Sequence, residues 1–442
     1  MKKIIKKIRF SFILAFAFLK KHKNLIILGS FLGFISFWGI PKIYQKFFFW
    51  EIEKIGYVGK FSYDELPLEI REKISMGLTT VSPDGHPLPG IAESWEINKE
   101  GKEYIFTLKK NLFWQNGKPL KAQDIDYKFS DVATTVIDEK RIKFELKEPF
   151  SPFPLVVSQP VFKNNLIGVG EYRVKKIKRS GSIIHQIYLV SEKKRKKIIF
   201  KFYPTEEALK TAFKLGEINI AREIIHPEEL SSWPKVKISP EVKYNRFVAI
   251  FFNTKNPKFY EKSFRQALAY AIQKKWPYRA LGPINPYSWA YNPNIKPYNF
   301  DLENAKKLLE KTKDSKEGAK EIELSTIPSL IDVAEQIKND WEKLGIKCTI
   351  KVITNLEESF EAILASQEIP ADPDQYIFWH STQELNITKY KNPKLDKLLE
   401  EGRRTLDEIK RKEIYLDFQK SIVEETPAIF LFHPTVYTIS KI

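Results

Sequence analysis

The hydrophobic period of the chain changes near residue 205, and this change limits the folds open to it. Before that point apolar residues recur at every second position. Trp95 and Ile97, a turn at Lys99-Glu100-Gly101, then Tyr104, Phe106 and Leu108 give the alternation of a half-buried hairpin. Arg141 to Leu146, Glu171 to Lys178 and Lys197 to Phe202 read as further strands. After that point the spacing becomes helical, at Thr205 to Leu215, at Ser263 to Lys274, and in a helix capped by Asp301. Asp332 to Leu344 puts Val333, Ile337, Trp341 and Leu344 on one helical face, with Gly345 as its stop. Ile346, Cys348, Ile350 and Val352 then alternate as a strand, completing an α/β unit. Asn392-Pro393 opens another helix through Leu395, Leu398 and Leu399, and Tyr415, Phe418 and Ile422 mark one more. The 442 residues suffice for two or three domains, β-rich in front and α/β behind.

The N-terminus has a different character. Residues 1–50 carry ten basic side chains and no acid, and eight of the ten precede an uncharged run of 18 residues, 24–41. As a helix this run spans about 27 Å, close to the hydrocarbon thickness of a bilayer. Trp38 and Tyr44 stand near its far end, where amphipathic rings favour the interface. The charge bias keeps the N-terminus in the cytoplasm and sends the remainder out. A cleaved signal peptide with Phe10 to Leu19 as its apolar core and Ala15-Phe16-Ala17 as its cleavage site is the alternative, but it leaves the longer apolar run intact. The expectation is a basic cytoplasmic segment 1–23, an uncleaved single-pass anchor at 24–43, and an extracellular or periplasmic domain. A juxtamembrane lead-in follows, from Phe47 to about Leu66.

The net charge of +18 invites nucleic acid, but 63 basic and 55 acidic residues remain beyond residue 50, a mixed surface without a phosphate-tracking stripe. One cysteine, Cys348, excludes a disulfide framework and a thiolate metal cluster. The six histidines stand singly, with no HExxH, and no Walker A loop, GxGxxG or GxSxG elbow occurs. Asp372-Pro373-Asp374 is not followed by a calcium-binding loop and reads as a turn. Neither an enzyme nor a cofactor or metal protein is expected.

Four blocks carry a resemblance. Gly77-Leu78-Thr79 leads through Pro83-Asp84-Gly85 and Pro89-Gly90-Ile91-Ala92-Glu93-Ser94-Trp95 into Gly101-Lys102-Glu103-Tyr104-Ile105-Phe106-Thr107-Leu108. Phe113-Trp114-Gln115-Asn116-Gly117-Lys118-Pro119 precedes Asp124-Ile125, and Phe252-Asn253-Thr254 precedes Phe264-Arg265-Gln266-Ala267-Leu268. Asp372-Pro373-Asp374 runs to Phe378-Trp379-His380-Ser381, then Tyr390-Lys391-Asn392-Pro393. In this order, over about residues 70–440, they resemble the bacterial extracellular solute-binding proteins of family 5, the peptide/nickel type. The resemblance implies a two-lobed, periplasmic-binding-protein-like α/β fold (type II, cluster C) that passes a ligand to the permease subunits of an ABC importer. It assigns residues 50–245 with 428–442 to lobe I and 246–427 to lobe II. The chain would cross between lobes near Arg246 to Asn253 and near Glu425 to Phe430, forming a hinge. The expected ligand is a peptide. A nickel chelate, an oligosaccharide, an opine-like amine, or a sensor role without transport are the alternatives.

The resemblance also suggests site residues. Asp372 would receive a peptide α-ammonium, since a charge enclosed without water needs a partner, and Asp374 stands next to it. Phe378 and Trp379 would wall side-chain pockets, His380 would contact ligand, and Asn253 would bond the peptide backbone. Arg265 is expected in a salt bridge, and Trp95 and Trp114 in the core. Where relatives carry His-Asp this chain has Gln115-Asn116, which reads as structural. Ser366-Gln367 replaces a common Gly-Trp, and the lipobox cysteine often found in the family is not seen near the N-terminus.

Overall fold

The computed structural model describes residues 10, 13–14, 16–48, 50–164, 166–312, 321–354 and 359–442, and within the first helix it leaves out the side chains of 26, 36 and 38–48. The chain forms a small unit, 1–53 with 190–198, and a large one, 54–189 with 199–442. In the small unit an α-helix runs from Lys23–Phe48. It covers the expected anchor, yet among the described residues no helix is long and apolar enough to cross a membrane. Gly29, Ser30 and Gly33 thin its apolar run, and the side chains of Trp38 and Tyr44 lie outside the described residues. Lys196 pairs with Glu53 at 2.6 Å in the same unit.

The front half of the large unit is built on strands. Ala92–Ile97 and Glu103–Leu108 form the expected hairpin, with Ile97 opposite Tyr104. Arg141–Leu146 and Val132–Val136 extend it to four strands. One face of this sheet buries Tyr104, Phe106 and Phe144 against Phe153 and Trp114. A seven-stranded sheet follows the order Val236–Val242, Thr435–Lys441, Ile220–Ile224, Glu51–Val58, Lys196–Tyr203, Ile183–Ser191, Arg173–Ser180. Glu51–Val58 was expected to be part of a lead-in. It is instead an inner strand, with Ile55, Gly56 and Tyr57 all buried, so burial on both faces erases the alternation that marks a strand.

The back half is built around a five-stranded sheet in the order Lys347–Val352, Glu321–Thr326, Ala362–Glu368, Arg246–Phe252, Ala428–Phe432. Its helices are capped largely as the sequence indicates. Thr205, Asp301 and Asn392 each accept a backbone N–H at a helix start, and Gly345 stands at φ +84 just past the helix Ile331–Lys343.

The chain passes between the two large sheets twice, but not at the expected positions. Arg246–Phe252 is buried from Phe247 onward and bonds strands on both sides, so the first connection is 243–245. Ala428–Phe432 pairs with it, and only Thr435–Lys441 returns to the seven-stranded sheet, so the second connection is 433–434. The two connections are tied together. Lys243 N donates to Pro434 O at 2.9 Å, and His433 Nδ1 donates to Arg246 O at 2.7 Å.

Candidate functional site

A cavity of about 630 Å³ lies between the front and back halves of the large unit. From the front it is lined by the turn after the strand Thr79–Val81 and by Leu155, Val156 and Gln159. The turn is closed by Ser82 N donating to His86 O at 2.9 Å. Gly85 stands in it at φ +90, and a Cβ there would lie 2.5 Å from the carbonyl oxygen of Ala371 across the cavity mouth. Only glycine fits so close an approach. From the back come Glu368 to Asp372, Asp374, Ile377 and Arg403.

The two aspartates stand on one loop and each meets an arginine. Asp372 is 7% exposed, and both its oxygens are taken by Arg411, at 2.5 Å to Oδ1 and 3.0 Å to Oδ2. Burial lifts the Asp372 carboxyl above the usual carboxylate range against the opposing pull of Arg411. Arg411 also donates from Nε to Gly402 O at 2.9 Å, and its guanidinium lies 5.6 Å from the ring of Trp289. Asp374 accepts from Arg403 at 2.8 Å and from Tyr376 N at 3.1 Å. Arg403 lies over the Tyr376 ring at 3.9 Å, and its Nε has no hydrogen-bond partner.

Two further carboxylates line the cavity. Glu368 has a side chain 75% exposed and contacts Arg246 at 3.3 Å. Asp84 contacts His86 Nδ1 at 3.0 Å, while Glu408 approaches His86 Nε2 from the back half at 3.3 Å. Hydrogen bonds from Ser82 and His86 lower the Asp84 carboxyl to about 2. Burial works against charge on His86, but its bonds to Asp84 and Glu408 outweigh this and raise its pKa. Trp289 N donates to Asp84 O at 3.1 Å, a second link between the halves.

Of the residues singled out from sequence, the structure brings Asp372 and Asp374 to the cavity wall and places the others elsewhere. The one-turn helix Tyr376–Trp379 turns Ile377 to the cavity, while Phe378 and Trp379 pack into the back-half core. Trp379 is 3% exposed, 6.2 Å from the ring of Phe251. His380 is buried, bonded to Thr382 Oγ1 at 2.8 Å and Glu400 at 3.3 Å. Asn253 donates to Phe360 O at 2.9 Å and accepts from Lys255 N at 3.2 Å, tying its loop to the segment before Ala362–Glu368. Among the described residues Arg265 makes no salt bridge. It is buried and donates to the carbonyls of Phe259 and Tyr260 just before its own helix and of Glu425 and Thr426 at the end of the helix Glu408–Glu425. Gln115 is structural, donating to Ile74 O, Gly170 O and Tyr172 O. Trp114 is core, whereas Trp95 is half-exposed. Sequence reasoning missed Glu368, Ile377 and Arg403. The helical offset of Ile377 from its buried neighbours was the one available signal.

A cavity held between two α/β halves that two short adjacent connections join is the layout of a solute receptor. Residues 86–386 match the bacterial extracellular solute-binding proteins, family 5 (middle), and the chain belongs to that family. Di/tripeptide-binding protein 1 of Pseudomonas aeruginosa (strain UCBPP-PA14) is 24% identical, covering 79% of this chain and 81% of its own. NikZ from Campylobacter jejuni, solved in complex with Ni(L-His), superposes with a TM-score of 0.74 at 21% identity over 88% of this chain and 94% of its own. AppA from Bacillus subtilis, solved with a nonapeptide, gives 0.70 at 19% identity over the same shares of the two chains.

Proposed function

We propose that this protein captures peptides in the cavity between its two lobes and delivers them to an ABC importer. The observation that carries this reading is the cavity's lining. It has about 630 Å³, four carboxylates (Asp84, Glu368, Asp372, Asp374) and, among the described residues, Arg403 as its one lysine or arginine. That volume lies within the roughly 300–1,000 Å³ usual for ligand sites. An acid-rich wall with one arginine suits a zwitterion, and peptides are the ligands named for several relatives. Sequence resemblance puts the α-ammonium on Asp372. Both oxygens of Asp372 already face Arg411, so we assign the ammonium to Glu368, the most exposed of the four, with Asp372 and Asp374 supplying field behind it. Arg403, the basic side chain lining the cavity, takes the ligand carboxylate.

The connections 243–245 and 433–434 then act as the hinge. A ligand that touches both lobes better when they are closed shifts the equilibrium to closure. Native mass spectrometry of the full chain in detergent tests the reading. Co-purified peptides support it, a nickel–amino acid complex redirects it to the ligand of NikZ, and an empty cavity that binds no peptide contradicts it.

The anchor is part of the same proposal. Leu25, Ile27, Leu28, Phe31, Leu32 and Phe34 are all exposed on the helix, and this all-round apolar surface suits lipid. Protease added to intact spheroplasts would then digest the chain beyond Trp50 and spare the N-terminus. A mature protein that begins after Ala17 contradicts the anchor.

A further inference from the structure

The main cavity has a side compartment of about 240 Å³ whose walls are apolar and whose charges are already paired. Gly85, Leu155 and Asp372 line both spaces, so the two lie side by side and share a wall. Trp95, Ile97, Pro154, Leu155, Trp289 and Leu406 supply the apolar walls. Two are indoles, and each is held in place. The Trp289 backbone N–H donates to Asp84 O, the His86 ring stacks on its indole at 5.8 Å, and Trp95 lies 6.1 Å from Phe106.

Four ionisable groups line the compartment, His86, Asp372, Glu408 and Arg411. Asp372 is spent on Arg411, and Glu408 on His86, whose other nitrogen faces Asp84. A charged group entering here would meet no unpaired opposite charge and would lose its water, which is costly. A flat apolar group would gain contact with two indoles and four aliphatic or proline walls. Open apolar volume of this size stabilises nothing by itself. We infer that this compartment is a specificity pocket selecting peptides that carry an uncharged aromatic or bulky aliphatic side chain. The inference rests on the peptide reading above and adds the class of peptide.

Calorimetry on the full chain in detergent tests it, with Gly-Gly-Gly, Gly-Phe-Gly, Gly-Leu-Gly, Gly-Lys-Gly and Gly-Glu-Gly as probes. A single methylene in an apolar pocket already discriminates by about tenfold or more. Gly-Phe-Gly and Gly-Leu-Gly are therefore expected to bind at least about tenfold more tightly than Gly-Gly-Gly, and the charged peptides no better than it. Leu406, 41% exposed, can be enlarged with little risk to the fold. Leu406→Trp should remove the preference for Gly-Phe-Gly and leave Gly-Gly-Gly unchanged. A second filling variant, Ile97→Trp, should do the same. Equal binding of all five peptides, or a preference that survives both variants, overturns the pocket and leaves peptide capture standing. Binding of none overturns peptide capture itself, and the pocket with it.

Discussion

Asp372 and Asp374 are two residues apart, and each faces an arginine, yet the two pairs have different physics. The Asp372–Arg411 pair has side chains 9% and 7% exposed, and the Asp374–Arg403 pair 10% and 23%. Arg411 is held by three further contacts, with the Gly402 carbonyl and the Trp289 and Tyr415 rings. Arg403 lines the cavity and its side chain is the more exposed of the two arginines. The deep pair is architecture, fixing the loop that forms the cavity wall. The shallow pair is less enclosed, and the proposed ligand contacts lie beside it. A charge motif read from sequence locates a wall without saying which of its charges is available.

The largest effect should come from breaking the deep pair. Arg411→Met leaves Asp372 buried and uncompensated, which typically costs about 3–5 kcal/mol. Chemical denaturation should report a loss of that order, partly recovered in the double variant Asp372→Asn/Arg411→Met. A loss no larger than that of Asp374→Asn would erase the distinction between the pairs. Arg403 can turn to solvent when its partner goes, so Asp374→Asn should cost only about 1 kcal/mol in the same assay.

Smaller still is the effect of the link between the halves at His86. The bonds from Asp84 and Glu408 raise the His86 pKa, so the folded state holds this proton more tightly than the unfolded chain. Its contribution is complete below the free-imidazole value of about 6.5 and is lost as pH rises through the raised value. NMR titration of the imidazoles should find His86 above that value, and Glu408→Gln should lower it. A His86 that titrates as a free imidazole, unmoved by the variant, would mean that the two halves are not joined there.

The same contrast between local and long-range information explains how much could be read in advance. The hairpin from Trp95 to Leu108, the caps Thr205, Asp301 and Asn392, and the stop at Gly345 follow from nearest neighbours and were legible. Glu51–Val58 was misjudged because both its faces are covered, which no alternation reports, and Arg246–Phe252, expected at the crossing, lies inside the five-stranded sheet. The loop of Asp372 and Asp374 was found through its motif. Arg403 and Arg411, some 30 to 40 positions later, reach it only through the packing of helices Pro393–Arg404 and Glu408–Glu425. Sequence could thus supply the acids but not which of them had been neutralised.

The central claim is that Glu368, and not the deeply paired Asp372, meets the ligand ammonium. Calorimetry of Gly-Phe-Gly and its N-acetylated form against the natural protein, Glu368→Gln and Asp372→Asn tests it in one cycle. Glu368→Gln is expected to weaken the free peptide about tenfold, or about 1.4 kcal/mol, and to leave the acetylated peptide unchanged, the coupling expected of a direct contact. Asp372→Asn should affect the two peptides equally. Strong coupling at Asp372 with none at Glu368 would contradict the account, because the buried pair with Arg411 would then open to receive ligand.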